Sequence, residues 1–139
     1  MPALVISKEL GGDARVIAAW GPDLRWLSRK MARAITDVRL GLELQIEFQP
    51  DATVEPDRMV ITGGDLSDID RGVLVHVAIP LKPPAAPRDF LIGAVLGALD
   101  HVERRAKSEG RRFGFASLHE GIDRELEDEA LDPGRWRII

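Results

Sequence analysis

Histidines are the side chains of this chain best suited to acid–base chemistry or metal binding, because its 139 residues include no cysteine. The three histidines are His76, His101 and His119. None of them has a second histidine at the short spacing typical of a zinc site, so we predict no metal ligand. His76 shares one face of a strand-like segment with Leu74 and Ala78, which favours a buried, hydrogen-bonded or edge position over a catalytic one.

One short stretch combines a hydroxyl, an imidazole and a carboxylate, at Ser117, His119 and Glu120. A catalytic triad is defined by its geometry and not by closeness along the chain, so this stretch does not predict catalysis. The glycine pairs at residues 11–12 and 63–64 are turn signals, because neither is part of a phosphate-binding loop followed by lysine and a hydroxyl residue. The sequence therefore predicts no catalytic residue and no cofactor, and it favours binding over catalysis.

Acidic side chains are concentrated in residues 51–70 and residues 119–132. The spacing of Asp65, Asp68 and Asp70 does not match the alternate oxygen ligands of a calcium loop. A solvated turn and a contact with a basic partner are the two interpretations that remain for this loop. We predict that acids of both segments bind a basic protein partner. The predicted partner-binding residues are Asp57, Asp65, Asp68, Asp70, Glu120, Asp123, Glu127 and Asp128.

Three arginines recur at four-residue spacing, at Arg25, Arg29 and Arg33. Like charges at this spacing oppose helix formation by a few tenths of a kcal/mol per pair, so an opposing charge is expected nearby. One interpretation is screening by solvent together with ion pairs to acids of the C-terminal segment. The other is an anionic ligand or an acidic partner surface, which the forked guanidinium group suits. The acids considered for the ion pairs are Glu120, Asp123, Glu127 and Asp128.

The composition is that of an ordinary folded domain, with 45% hydrophobic and 30% charged residues. The net charge of −4 argues against general nucleic-acid binding, which needs a dominant basic field. The absence of cysteine favours the cytoplasm. The longest apolar run, residues 90–99, is too short to cross a membrane, since a membrane-spanning helix needs about 17 or more residues. We expect a single domain over residues 1–139, with residues 119–139 as an acidic C-terminal segment that docks on it.

Local patterns predict the order of helices and strands. Two strands at residues 4–10 and 15–20 form a predicted hairpin, because glycines separate them. A helix follows from residues 21–23 to Gly41, and a second helix runs from about Asp89 to Glu109. Strands are predicted at residues 42–49, 58–62 and 73–81, and the strict alternation in residues 42–49 predicts a sheet face open to water. A third helical segment is predicted over residues 121–131.

This order predicts an α+β fold, because consecutive strands joined by short turns favour a mainly antiparallel sheet. The expected architecture is a two-layer sandwich of about five strands in the order β-β-α-β-β-β-α plus a C-terminal tail. Its two main helices lie on one face, because the other face carries polar side chains.

Two glycines lie in the second helix, at Gly93 and Gly97, and Asp100 and Arg104 continue their line along the helix. Each glycine lowers helix stability by about 1 kcal/mol relative to alanine. We predict that this line is exposed in the monomer and forms a groove for self-association. The alternative is that two small residues lie on an exposed helix face without a function.

Segregated charges and the lack of a catalytic motif favour a protein that binds another macromolecule. We expect a bacterial cytoplasmic protein, such as an immunity or inhibitor protein, whose acidic surfaces bind a basic partner. The first alternative is a small enzyme or ligand-binding homodimer, with a pocket between sheet and helices bordered by His76 and the arginines of the first helix. The second alternative is a subunit of a larger assembly.

Overall fold

The computed structural model of the chain describes residues 4–7, 13–36, 38–67, 72–127, 129 and 137–138. Three helices and a mixed β-sheet form within these residues, so the predicted α+β class is confirmed. In chain order the elements are β1 (Leu4–Ile6), α1 (Ala14–Ala34), β2 (Leu44–Pro50), β3 (Arg58–Gly63), β4 (Val73–Ile79), α2 (Pro87–Ser108), α3 (Phe115–Glu125) and the two-residue β5 (Arg137–Ile138).

The sheet has the strand order β1-β2-β4-β3-β5 and is not mainly antiparallel. The β1–β2 and β2–β4 pairs are parallel, the β3–β4 pair is antiparallel, and β5 runs parallel to β3. The prediction of mainly antiparallel pairing was wrong at two connections. β3 separates β2 from β4 along the chain and pairs with the other edge of β4, and α1 separates β1 from β2. A helix between two strands returns the chain to the starting edge, so the next strand runs parallel.

The segment 15–20 is the first part of α1 and not a strand. The helix begins after Asp13, whose Oδ1 accepts a hydrogen bond from the amide of Arg15 at 2.8 Å. Val16 and Trp20 are buried, and they extend the apolar stripe of Leu24 toward the N-terminus at four-residue intervals. Pro22 lies inside the helix, although the sequence pattern had suggested that it marks the first turn.

One face of the sheet is buried and the other is accessible in the described residues. In β2, Leu44, Ile46 and Phe48 are buried, whereas Gln45 and Gln49 are exposed. The register pairs buried residues of β2 with buried residues of β4 across the parallel ladder. The strict alternation in the sequence thus corresponds to a sheet with one open face.

The second helix was predicted closely, since α2 spans Pro87–Ser108. Gly110 follows its C-terminus with a φ of 69°, a conformation that glycine adopts at little cost. The predicted exposure of the glycine line was wrong at its first residue. Gly93 is buried, Gly97 is half-buried, and only Asp100 and Arg104 are exposed.

The third helix begins earlier than the sequence indicated, at Phe115, and it packs against α1. Phe115, Leu118 and Ile122 form its buried face. The two helices approach so closely that a methyl group at Gly121 would overlap the carbonyl oxygen of Ala34. Among the described residues, no helix has both the length and the apolar character needed to cross a membrane.

Candidate functional site

Two of the predicted acids, Asp57 and Asp65, lie at opposite ends of one strand. Asp57 precedes β3 and Asp65 follows it, and a six-residue strand is about 20 Å long. Both side chains are exposed. Glu120 and Asp123 are exposed on α3, and Glu127 is exposed in the turn after this helix. The remaining predicted acids, Asp68, Asp70 and Asp128, lie outside the described residues.

The carboxylate of Asp65 is held in its charged form by its own turn. The amide of Ser67 donates a hydrogen bond to Oδ1 of Asp65 at 2.9 Å. This bond, the Ser67 side chain and the charge of Arg105 keep the pKa of Asp65 below its usual value.

Among the described residues, the basic side chains of α1 meet Glu125 and Glu129 and form no ion pair with Glu120, Asp123 or Glu127. Lys30 Nζ lies 3.7 Å from Oε1 of Glu125 and 2.9 Å from Oε1 of Glu129. Arg33 Nη1 also lies 3.7 Å from Oε1 of Glu125. Glu125 follows Leu118 by seven residues, so it borders the buried face of α3, whereas Asp123 is exposed.

Arginines of both helices border a small cavity between α1 and α3. Arg33 lines it from α1, and Glu120, Arg124 and Glu125 line it from α3, around a volume of about 190 Å³. Arg25 and Arg29 are exposed on α1 and do not line this cavity. The stripe of three arginines is therefore divided, since only its last member lies against the acidic segment.

A polar cluster on the open sheet face was not predicted from the sequence. The side-chain amide of Gln49 donates to Oε1 of Glu47 at 3.1 Å, and its nitrogen lies 2.9 Å from Nδ1 of His76. Nδ1 of His76 is also 3.9 Å from Oε1 of Glu47. The parallel register places His76 directly opposite Glu47, and the antiparallel register places it opposite Thr62. Only this pairing of distant strands could have revealed the cluster.

His76 and the arginines of α1 do not border a common pocket in the described structure. His76 is half-buried on the accessible face of β4, and its neighbours Val75 and Val77 point to the buried face. The cavity at Arg33 has no lining residue from the sheet. The cluster around His76 and the cavity at Arg33 are therefore two separate features and not the one pocket that the sequence suggested.

The outer residues of the predicted self-association line bind each other. Nε of Arg104 lies 2.9 Å from Oδ2 of Asp100, one helical turn away, and both side chains are mostly exposed. Such an exposed pair contributes only about 0.3–0.5 kcal/mol. With Gly93 buried, the line is a surface feature only in its second half.

No group of three or more potential metal ligands is found among the described residues. Comparisons with protein families, with curated proteins and with solved structures found no match for this chain. Its function must therefore be inferred from its own surfaces.

Proposed function

We propose that this protein binds a basic protein partner through an acidic surface formed by Glu120, Asp123 and Glu127, as an immunity or inhibitor protein would. One observation supports the proposal most directly. The neighbouring acids Glu125 and Glu129 are used in ion pairs with α1, whereas these three are exposed and have no ion pair to a described residue. Unpaired charge on a helix surface attracts an opposite charge.

The electrostatics of the whole chain agree with this proposal. The net charge is −4, so the molecule as a whole attracts a basic partner at long range. Asp65 and Asp57, at the two ends of β3, are secondary contacts in this proposal. They do not share a surface with each other across the length of the strand.

The proposal is tested with a triple variant, Glu120→Lys, Asp123→Lys and Glu127→Lys. Basic proteins captured from the native host are identified first, and the association rate of each is then measured by surface plasmon resonance at several salt concentrations. The variant should associate with a true partner at least about tenfold more slowly at low salt, because steering raises association rates by about 10–10³. The difference should shrink at high salt.

A matched control separates a specific surface from net charge. Glu55→Lys, Asp100→Lys and Glu109→Lys reverse three exposed acids elsewhere and change the net charge by the same amount. The control should keep most of the association rate. Equal slowing by both triple variants would mean that the acids of α3 and its following turn are not the interface.

A second candidate function is that of a subunit in a homo-oligomer. It is favoured by the open sheet face, where Leu74 is 38% exposed and where Ala78 and its cross-strand partner Val60 are half-buried. In a two-layer sandwich with its helices on one face, a second copy would cover this face. Light scattering at several concentrations tests it. A dimer that Leu74→Lys dissociates would support this candidate, and a monomer at all concentrations would refute it.

A further inference from the structure

A second concave site lies at the corner where α2 ends and α3 begins, apart from the acidic surface. Its volume is about 570 Å³, within the range of about 300–1,000 Å³ that is common for small-molecule sites. The last turns of α2, the connection 110–113 and the first residue of α3 form its walls. The lining residues used below are Glu103, Lys107, Arg111, Arg112, Phe113 and Phe115.

Positive charge is in excess at this site, although the protein is acidic. Lys107 and His119 each lie within 4 Å of the one lining carboxylate, Glu103, at 3.7 and 3.8 Å. Arg111 is held in place because its Nη1 donates to the carbonyl of Leu66 at 2.7 Å. Arg112 is exposed and has no ion pair to a described residue. Its guanidinium group is therefore available for an anion.

The two helix ends at this corner act on an anion in opposite directions, because the C-terminus of α2 carries partial negative charge and the start of α3 carries partial positive charge. The amides of Glu109, Gly110 and Arg111 donate to carbonyl groups in the last turn of α2, which removes free acceptors from the site. In contrast, α3 begins after Gly114 without a hydrogen-bonded capping side chain among the described residues. The start of α3 therefore keeps the partial positive charge of a helix N-terminus close to Phe115.

Two aromatic rings complete the wall of the site. The rings of Phe113 and Phe115 pack edge to face, with centroids 6.2 Å apart and planes at 88°. Phe115 is buried, whereas Phe113 is half-buried and lines the site. A planar ring can stack on such a surface, and a base stacked on an aromatic side chain is a common mode of binding.

We propose that the corner between α2 and α3 binds a planar aromatic anion of mononucleotide size, with its anionic group on Arg112 and Lys107 and its ring on Phe113. Arg111 shapes the site and adds to its positive field from its fixed position. The proposal does not depend on the protein–protein interface proposed above, because the two sites share no residue.

The test measures binding of adenosine 5′-monophosphate by calorimetry. It is compared with adenosine, which lacks the phosphate, and with ribose 5-phosphate, which lacks the base. The nucleotide should bind at one site and at least about tenfold more tightly than either of these compounds, because a charged hydrogen bond and a stacked ring each contribute about that factor. Arg112→Gln should weaken the nucleotide about tenfold and leave adenosine unaffected. Phe113→Leu should weaken the nucleotide and leave ribose 5-phosphate unaffected.

The matched control is Arg29→Gln, which removes an exposed arginine of α1 that does not line the site. Nucleotide binding should be unchanged in this variant. Thermal unfolding of each variant shows whether it is folded. If Phe113→Leu does not fold, Arg112→Gln still tests the proposal, because Arg112 is at an exposed position. Absence of nucleotide binding, equal binding of nucleotide and ribose 5-phosphate, or equal weakening by Arg29→Gln and Arg112→Gln would overturn the proposal.

Discussion

Short-range hydrogen bonds lower the pKa of two aspartates in this protein, Asp51 and Asp65. Oδ1 of Asp51 accepts from the hydroxyl of Thr53 at 2.7 Å and from its amide at 2.8 Å. The side-chain bond is the larger cause that lowers the pKa of Asp51. Asp65 has the same type of turn, but there the amide of Ser67 is the larger cause of the lowered pKa.

We predict that Thr53→Val raises the pKa of Asp51 toward its ordinary value of 3.8. The pKa of Asp65 should not change, which makes it an internal control. Because the folded pKa of Asp51 is lowered, its turn stabilises the fold above the unfolded pKa, and this contribution is lost as the pH falls through the folded pKa. A carboxyl NMR titration of both aspartates measures the effect, and an unchanged Asp51 would contradict it.

A buried tryptophan joins α1 to the end of β4. Trp20 is fully buried, and its indole nitrogen donates to the carbonyl of Pro80 at 3.0 Å. Its ring centroid lies 5.7 Å from that of Phe90 on α2. This one side chain therefore connects three parts of the fold.

We predict that Trp20→Phe destabilises the protein by about 1–3 kcal/mol, because the Pro80 carbonyl would lose its buried donor. Trp26→Phe is the control, since the guanidinium carbon of Arg88 lies 4.8 Å from the centre of the Trp26 ring and phenylalanine keeps an aromatic face there. Denaturant unfolding compares the two variants. A larger loss for Trp26→Phe would mean that the hydrogen bond of Trp20 is unimportant.

At the scale of elements, the contact of α1 with α3 depends on Gly121, which no sequence pattern indicated. The sequence drew attention to Gly93 and Gly97 because they interrupt an apolar helix. The close approach of backbones is instead at Gly121, against the carbonyl oxygen of Ala34. The position of a glycine around its own helix could not reveal this contact, because the contact depends on which helices are neighbours in the fold.

We predict that Gly121→Ala destabilises the protein by about 1–3 kcal/mol, even though alanine is the better helix former, because α1 and α3 would have to move apart. Ser117→Ala, at an exposed position one turn before Gly121, is the control, and it should change stability by no more than about 0.5 kcal/mol. Thermal or denaturant unfolding measures both. A stabilised Gly121→Ala variant would show that the helices adjust freely.

At the scale of the whole molecule, the order of strands determines where the fold is most stable. β4 lies between β2 and β3, so its backbone forms hydrogen bonds on both sides. β1 pairs only with β2 among the described strands. The chain thus places β4 at the centre of the sheet, where both neighbouring strands protect it.

We predict that the amides of Val75 and Val77 in β4 are among the slowest to exchange with deuterium in the native state. The amide of Val5 in β1 should exchange faster, because edge strands open at a lower free energy than the global unfolding free energy. Exchange measured residue by residue by NMR tests this order. Equal protection of Val5 and Val77 would indicate that the sheet opens only as a whole.

The sequence by itself determined the local elements whose patterns are strong. The apolar run and flanking signals of α2 defined a helix close to Pro87–Ser108, and alternation defined β2 and its two faces. Such patterns succeed because the period of 3.6 or 2 residues is a local property of the chain. They fail at segment 15–20, where β-branched residues favour a strand but burial of Trp20 against the rest of the core favours a helix.

Only the tertiary structure decided the direction of the strands, the pairing of the acids and the candidate sites. Lys30 selects Glu125 and Glu129 because of the way α3 packs on α1. The Glu47–Gln49–His76 cluster combines residues of two different strands, and Arg111 in the wall of the site at Arg112 is held by the carbonyl of the distant Leu66. These features depend on contacts between residues that are distant along the chain. A single sequence shows its composition and its periodic patterns, but it does not show which distant residues are in contact.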